Sequence, residues 1–163
     1  MRRLFVLALA LVVTPAAGAA TLSLSVSTGP TVTVAPVTLS GIDQITTFSI
    51  GVNIAYTGTG NNLGWNVTAA STPLTSGTKT LPAIVITTVT NGSCTPSGGC
   101  ANPNNSITWP FSLGTTPAKI FNAASGTGTG TVGLTSTYKI NYPANALPGT
   151  YTATVSLSTT TGP

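Results

Sequence analysis

An all-β fold is what this sequence predicts: one β-sandwich of about eight antiparallel strands, Ig-like in general architecture. Three observations carry that prediction. Charged residues are 4% of the 163-residue chain, against about 25% in an ordinary soluble domain; hydrophobic residues reach 41%, too many for a disordered chain. The polar remainder is mainly Thr, Ser and Asn, punctuated by 18 Gly and 12 Pro. Thr suits a pleated surface through its branched Cβ, and Gly and Pro supply turns. Finally, apolar residues alternate with small polar ones at period two through much of the chain, and no stretch beyond the N-terminus keeps helical periodicity for more than a turn or two.

Residues 1–19 read as a signal peptide, separate from that fold. Arg2 and Arg3 form a basic start and Leu4 to Val13 an apolar core. Ala17-Gly18-Ala19 is a small-x-small cleavage signal, so the mature chain is expected to begin at Ala20 or Thr21. The apolar run spans about ten residues where a membrane-crossing helix needs about twenty, so no transmembrane segment is expected in the mature protein. Arg2-Arg3-Leu4-Phe5 resembles a twin-arginine signal, but only Met1 precedes the arginines, and general secretion is the favoured route. No Cys lies near the cleavage site to carry a lipid. The chain reads as secreted.

Residues 20–163 match the size of a single domain. Leu22, Leu24 and Val26 share one strand face, and Val32 and Val34 begin a second run. Phe48, Ile50, Val52, Ile54 and Tyr56 alternate with Ser, Gly, Asn and Ala; Gly58 to Asn62 then turns the chain into Trp65, Val67 and Ala69. Ile84 to Val89 makes the next strand, a long loop covers Asn91 to Asn105, and Ile107 to Leu113 follows, with Pro110 marking an edge. Val132, Leu134 and Tyr138 mark a late strand, and Tyr151, Ala153, Val155 and Leu157 the last.

The missing residue types restrict function. Asp43 is the only acidic residue, and the chain has neither His nor Glu. General acid–base chemistry at neutral pH uses those side chains, and glycoside hydrolysis needs paired carboxylates. Zinc and calcium sites need clusters of His, Cys or carboxylates. No catalytic residue, metal ligand, cofactor or cofactor-binding residue is therefore expected; an enzyme would be limited to Ser, Thr, Lys or Tyr chemistry. Without Arg2 and Arg3, the charges are Lys79, Lys119 and Lys139 against Asp43. Three scattered lysines make no basic patch, so nucleic acid is excluded as a partner.

Cys94 and Cys100 are the only cysteines. An even count in an exported chain reads as a disulfide. It would close a seven-residue ring, worth about 2 kcal/mol through loop entropy. A redox pair is the alternative, but the spacing is not C-x-x-C. Pro148-Gly149-Thr150-Tyr151 reads either as the corner of Ig-like sandwiches, with the Tyr hydroxyl bonded back to the chain, or as an ordinary turn before a strand. Leu147-Pro148-Gly149-Thr150 imitates a sortase signal, but Tyr151 stands where Gly belongs and no apolar tail follows. Gly126-Thr127-Gly128-Thr129-Gly130 lacks the Lys and helix of a phosphate loop and reads as a flexible turn.

Tyr56-Thr57-Gly58-Thr59-Gly60 followed by Gly64-Trp65-Asn66-Val67-Thr68-Ala69 resembles the proximal segment of the WxL surface domains, where a Gly-rich turn precedes a Gly-Trp-x-Leu strand. The C-terminal half is similar too: Ile120-Phe121-Asn122-Ala123-Ala124, then Gly126 to Gly130, Tyr142-Pro143-Ala144-Asn145-Ala146 and Gly149-Thr150-Tyr151-Thr152-Ala153-Thr154-Val155. The resemblance covers most of residues 20–163 and rests on order and spacing. Val67 stands where the motif has Leu, and the distal Trp-x-Leu is missing, with Leu157 at the place of its Trp. The resemblance implies non-covalent attachment to peptidoglycan or another cell-wall glycan, with other surface proteins as further partners.

Trp65 and Trp109 are the candidate wall contacts. An exposed indole stacks on a sugar face and donates through its N–H. The competing reading puts Trp65 in the core with Val67 and Ala69, and Trp109 on one apolar face with Ile107, Phe111 and Leu113. The sequence thus points to a secreted, non-enzymatic cell-surface module. The runner-up is a pilin-like or coat-like subunit that assembles by strand addition at an exposed edge.

Overall fold

Every second residue from Phe48 to Tyr56 is buried, and the same holds from Val132 to Tyr142. These two runs form the centre of the larger sheet. The computed structural model describes residues 9–14 (backbone only), 21–27, 38–57, 63–95 and 100–163. All its regular elements are strands: β1 (Leu9–Thr14), β2 (Thr21–Val26), β3 (Gln44–Thr57), β4 (Trp65–Ser71), β5 (Thr75–Ser76), β6 (Lys79–Thr80), β7 (Val85–Thr95), β8 (Phe111–Ser112), β9 (Ala118–Ala123), β10 (Gly130–Tyr142) and β11 (Ala153–Thr161). Eleven strands thus stand among the described residues, against an expectation of about eight.

One sheet has the order β2-β3-β10-β7-β8, antiparallel throughout. Its spine is the unbroken β3–β10 ladder from Tyr56 opposite Gly130 to Gln44 opposite Tyr142. Phe48 and Tyr138 face each other in that ladder and stack with ring centroids 5.1 Å apart. The second sheet has the order β1-β11-β4-β9. The pairs β11–β4 and β4–β9 are antiparallel, whereas β1 lies parallel to β11.

Both sheets feed one buried cluster. Ile50, Ile54, Ile86, Leu134 and Ile140 come from the first sheet, and Trp65, Val67, Phe121, Val155 and Leu157 from the second. Burial of these side chains is the main stabilising term, at roughly 1.5–3 kcal/mol for each large one relative to exposure.

Several elements differ from the sequence expectation. Cys94 does not sit in a loop, because β7 continues through Asn91 to Thr95. Residues Ile107 to Trp109 alternate half-buried and exposed but make no ladder, and only Phe111–Ser112 of that run pairs. β9 and the β5–β6 hairpin were not expected as strands. Val32, Val34 and the turn Gly58 to Asn62 lie outside the described residues. Leu9–Thr14, assigned above to the leader, pairs with Ala153–Ser158 as an edge strand. Its apolar, partly β-branched sequence suits that position.

Tyr151 settles as a corner. Its hydroxyl donates to the Leu147 carbonyl at 2.8 Å, and the ring is buried. That bond fixes the chain as it enters β11.

Candidate functional site

Trp65 opens β4 and is fully buried, at 0% exposure. Two glycines make this possible. Gly64 has φ 73°, and a side chain there would run into the Ala123 carbonyl. Gly128 has φ 72°, and its carbonyl accepts the indole Nε1–H at 2.8 Å. A Cβ at Gly128 would stand 2.6 Å from that same nitrogen. The Gly126 to Gly130 segment is thus a cover fastened over the indole, where the sequence suggested a free turn. Trp65 consequently has no surface for a sugar; of its two readings, core is the correct one.

A row of three rings leads from Trp65 to the surface. Trp65 stacks on Phe121 with centroids 5.9 Å apart, and Phe121 stacks on Trp109 at 6.5 Å. Trp109 is half-buried, and its Nε1–H donates to the Ile120 carbonyl at 3.0 Å. The polar edge of that indole is therefore already used within the fold.

Residues 101–109 run along the outer edge of β9 and seal it by side-chain bonds. Asn105 Oδ1 accepts from the backbone N–H of Asn122 at 3.0 Å and of Ile107 at 3.2 Å. Asn122 Oδ1 accepts from the Ser106 N–H at 2.8 Å, and Ala124 N–H donates to the Asn104 carbonyl at 3.0 Å. The strip alternates strictly: Asn102, Asn104, Ser106 and Thr108 are exposed, with the Ser106 hydroxyl donating to Asn122 Oδ1 at 3.3 Å. Sequence reading missed this row of amide and hydroxyl groups. Period two was visible from Ile107 onward, but the Asn105–Asn122 pairing that extends it joins distant residues.

Cys94 and Cys100 are joined by a disulfide, with Cα atoms 6.0 Å apart. The bridge ties the end of β7 to the start of the strip. Next to it, Ala101 accepts from the Gly128 N–H at 2.9 Å and donates to the Thr129 carbonyl at 3.3 Å. Disulfide, strip and indole cover form one connected unit.

Among the described residues the charged side chains lie on separate elements. Asp43 accepts from the Ala144 N–H at 2.7 Å. Lys79, on β6, donates to the Pro148 carbonyl, and Lys119, on β9, to that of Pro163. Lys139 lies on β10. Among the described residues no group of three or more His, Cys, Asp or Glu comes together. Tyr138 is buried at 0% exposure, and its hydroxyl lacks a hydrogen bond of good geometry. Burial pushes its pKa up to about 12, with the nearby Ser136 hydroxyl opposing. The unit around Trp109 can stack and hydrogen-bond but offers no acid, base or nucleophile poised by a neighbour.

Comparison with protein-family models and with curated proteins finds no match to this chain. Among the described residues no helix is long and apolar enough to cross a membrane.

Proposed function

We propose that this protein is exported and serves as a non-enzymatic cell-surface module, a WxL-like, Ig-type sandwich attached non-covalently to the wall. Its ligand class is peptidoglycan or a related wall glycan. The observation that carries this reading is the strip at 101–109, whose exposed face presents the amides of Asn102 and Asn104 and the Thr108 hydroxyl, with Trp109 half-buried on the alternate face. Glycans are recognised by aromatic surface combined with neutral hydrogen-bonding groups. The disulfide and the Asn105–Asn122 bonds hold the strip in place, which lowers the ordering entropy lost on binding.

The scarcity of charge supports the same reading, since a neutral surface cannot rely on ion pairing. Co-sedimentation of the exported chain with purified peptidoglycan tests it. The protein is expected in the pellet; a chain that stays in the supernatant at every wall concentration contradicts the proposal.

A further inference from the structure

The two edges of the smaller sheet are treated differently. The outer edge of β9 is sealed by the 101–109 strip, as described above. The outer edge of β11 has one partner, the parallel strand Leu9–Thr14, from Leu9 opposite Ala153 to Thr14 opposite Ser158. Even-numbered residues of this region bond inward: Thr152 exchanges two bonds with Thr75, and the Thr154 carbonyl accepts from the Thr72 N–H. Ala153, Val155 and Leu157 therefore turn their N–H and C=O groups outward, toward β1. Their side chains are buried, and Thr154, Ser156 and Ser158 line the other face half-buried. From Val155 to Thr161 the register with β4 is unbroken. The strand contains no Lys, Pro or carboxylate, the devices that ordinarily blunt an edge.

We propose that the β11 edge is a dimerisation site, at which the β11 strands of two copies pair antiparallel in place of β1. This rests on the reading of residues 1–19 as a leader, whose removal takes β1 away. A second copy fits for three reasons. The seat of β1 shows that a strand has room beside β11. The edge is self-complementary, since its buried Ala, Val and Leu would continue into their own copies and its Thr and Ser would face hydroxyls, as a two-fold interface requires. The lysines lie on β6, β9 and β10, and no residue from Ala153 to Thr161 is charged. Registers that keep Ala153, Val155 and Leu157 on the core face place Ser156 opposite Thr154, Ser156 or Ser158 of the second copy.

The test uses the exported protein, with its N-terminus determined by mass and its molar mass by light scattering. A chain beginning at Ala20 or Thr21 is expected to have twice the protomer mass. Ser156→Lys and Ser156→Glu should each give folded monomers, checked by circular dichroism, and mixing the two should restore the dimer. A synthetic peptide of the Leu9–Thr14 sequence with flanking lysines should turn wild-type dimer into monomer. A cleaved chain that stays monomeric overturns the dimer but leaves the leader reading standing, and open filaments or an unaffected Ser156→Lys dimer overturn the two-fold pairing. A chain that keeps residues 1–19 removes the premise and the dimer together.

Discussion

The Trp65 indole donates to the Gly128 carbonyl across 63 residues of sequence, at 2.8 Å and out of contact with solvent. This bond links the start of β4 to the segment entering β10 and fastens a glycine cover over the largest buried side chain. It explains why both partners take the residue types they do. Gly128 needs its left-handed φ and the absence of a Cβ, and an indole satisfies the carbonyl where Phe could not.

Removing either side should therefore be costly. Trp65→Ala deletes a fully buried ring and leaves the Gly128 carbonyl unpartnered; a loss of roughly 3–5 kcal/mol is expected, enough to unfold a marginal domain. Gly128→Ala combines a disfavoured φ with a clash against Trp65 and should cost about 1–3 kcal/mol. Urea unfolding followed by tryptophan fluorescence checks both, and a Trp65→Ala midpoint equal to wild type would refute the core assignment.

Tyr138 governs behaviour in alkali. Its folded pKa is raised from 10.0 to about 12, mainly by burial. The folded state thus holds a proton that the unfolded state releases near pH 10, so stability falls as pH rises from 10 toward 12. Tyr142 and Tyr151 are shifted in the same direction by burial. Tyr138→Phe removes a buried hydroxyl without a good partner and should be neutral or stabilising at pH 7, with a shallower decline above pH 10. Thermal melts from pH 7 to 11.5 measure this; a Phe variant that melts well below wild type at pH 7 would show the hydroxyl to be bonded.

Much of this was legible in the sequence where partners are local or periodic. The β3, β10 and β11 faces follow from period two, whereas Pro148 to Tyr151 reads as a corner or an ordinary turn until the Tyr151–Leu147 bond is seen. What escaped depends on distant pairing. β9 reads as an unremarkable Ala-Lys-Ile-Phe-Asn-Ala run until Asn105 and Ser106 are seen to seal its edge. The glycine run at 126–130 looked free because nothing local announces an indole beneath it. Asn and Gly normally end strands, so the sequence predicts a loop from Asn91 to Asn105, whereas β10 extends far enough to pair with Asn91 and Cys94.

Breaking the disulfide should loosen the strip without unfolding the domain. The Cys94→Ser, Cys100→Ser double variant is expected to lose about 2 kcal/mol, read as a melting temperature lower by several degrees with an unchanged circular dichroism spectrum. Alkylation of the purified wild-type protein without reductant should label no thiol; two labelled thiols would show the bridge unformed.

Attachment to the wall should tolerate salt. Stacking and neutral hydrogen bonds are weakly screened, whereas ion pairs weaken as the Debye length falls. Washing loaded walls with 0.5 M NaCl is expected to leave the protein bound. Release at that concentration would point instead to Lys79, Lys119 or Lys139 meeting wall anions.

Co-sedimentation of strip variants with purified peptidoglycan, with the melting temperature of each measured alongside, tests whether residues 101–109 form the wall-binding surface. Asn102→Ala with Asn104→Ala removes two exposed amides and leaves the Asn104 backbone bond to Ala124 intact, so stability should change by less than about 1 kcal/mol. Trp109→Ala removes a half-buried ring and should be milder than Trp65→Ala. Folded variants of both kinds are expected to lose wall binding at least tenfold. Wild-type affinity in a folded Trp109→Ala protein and in the double Asn variant would contradict the assignment.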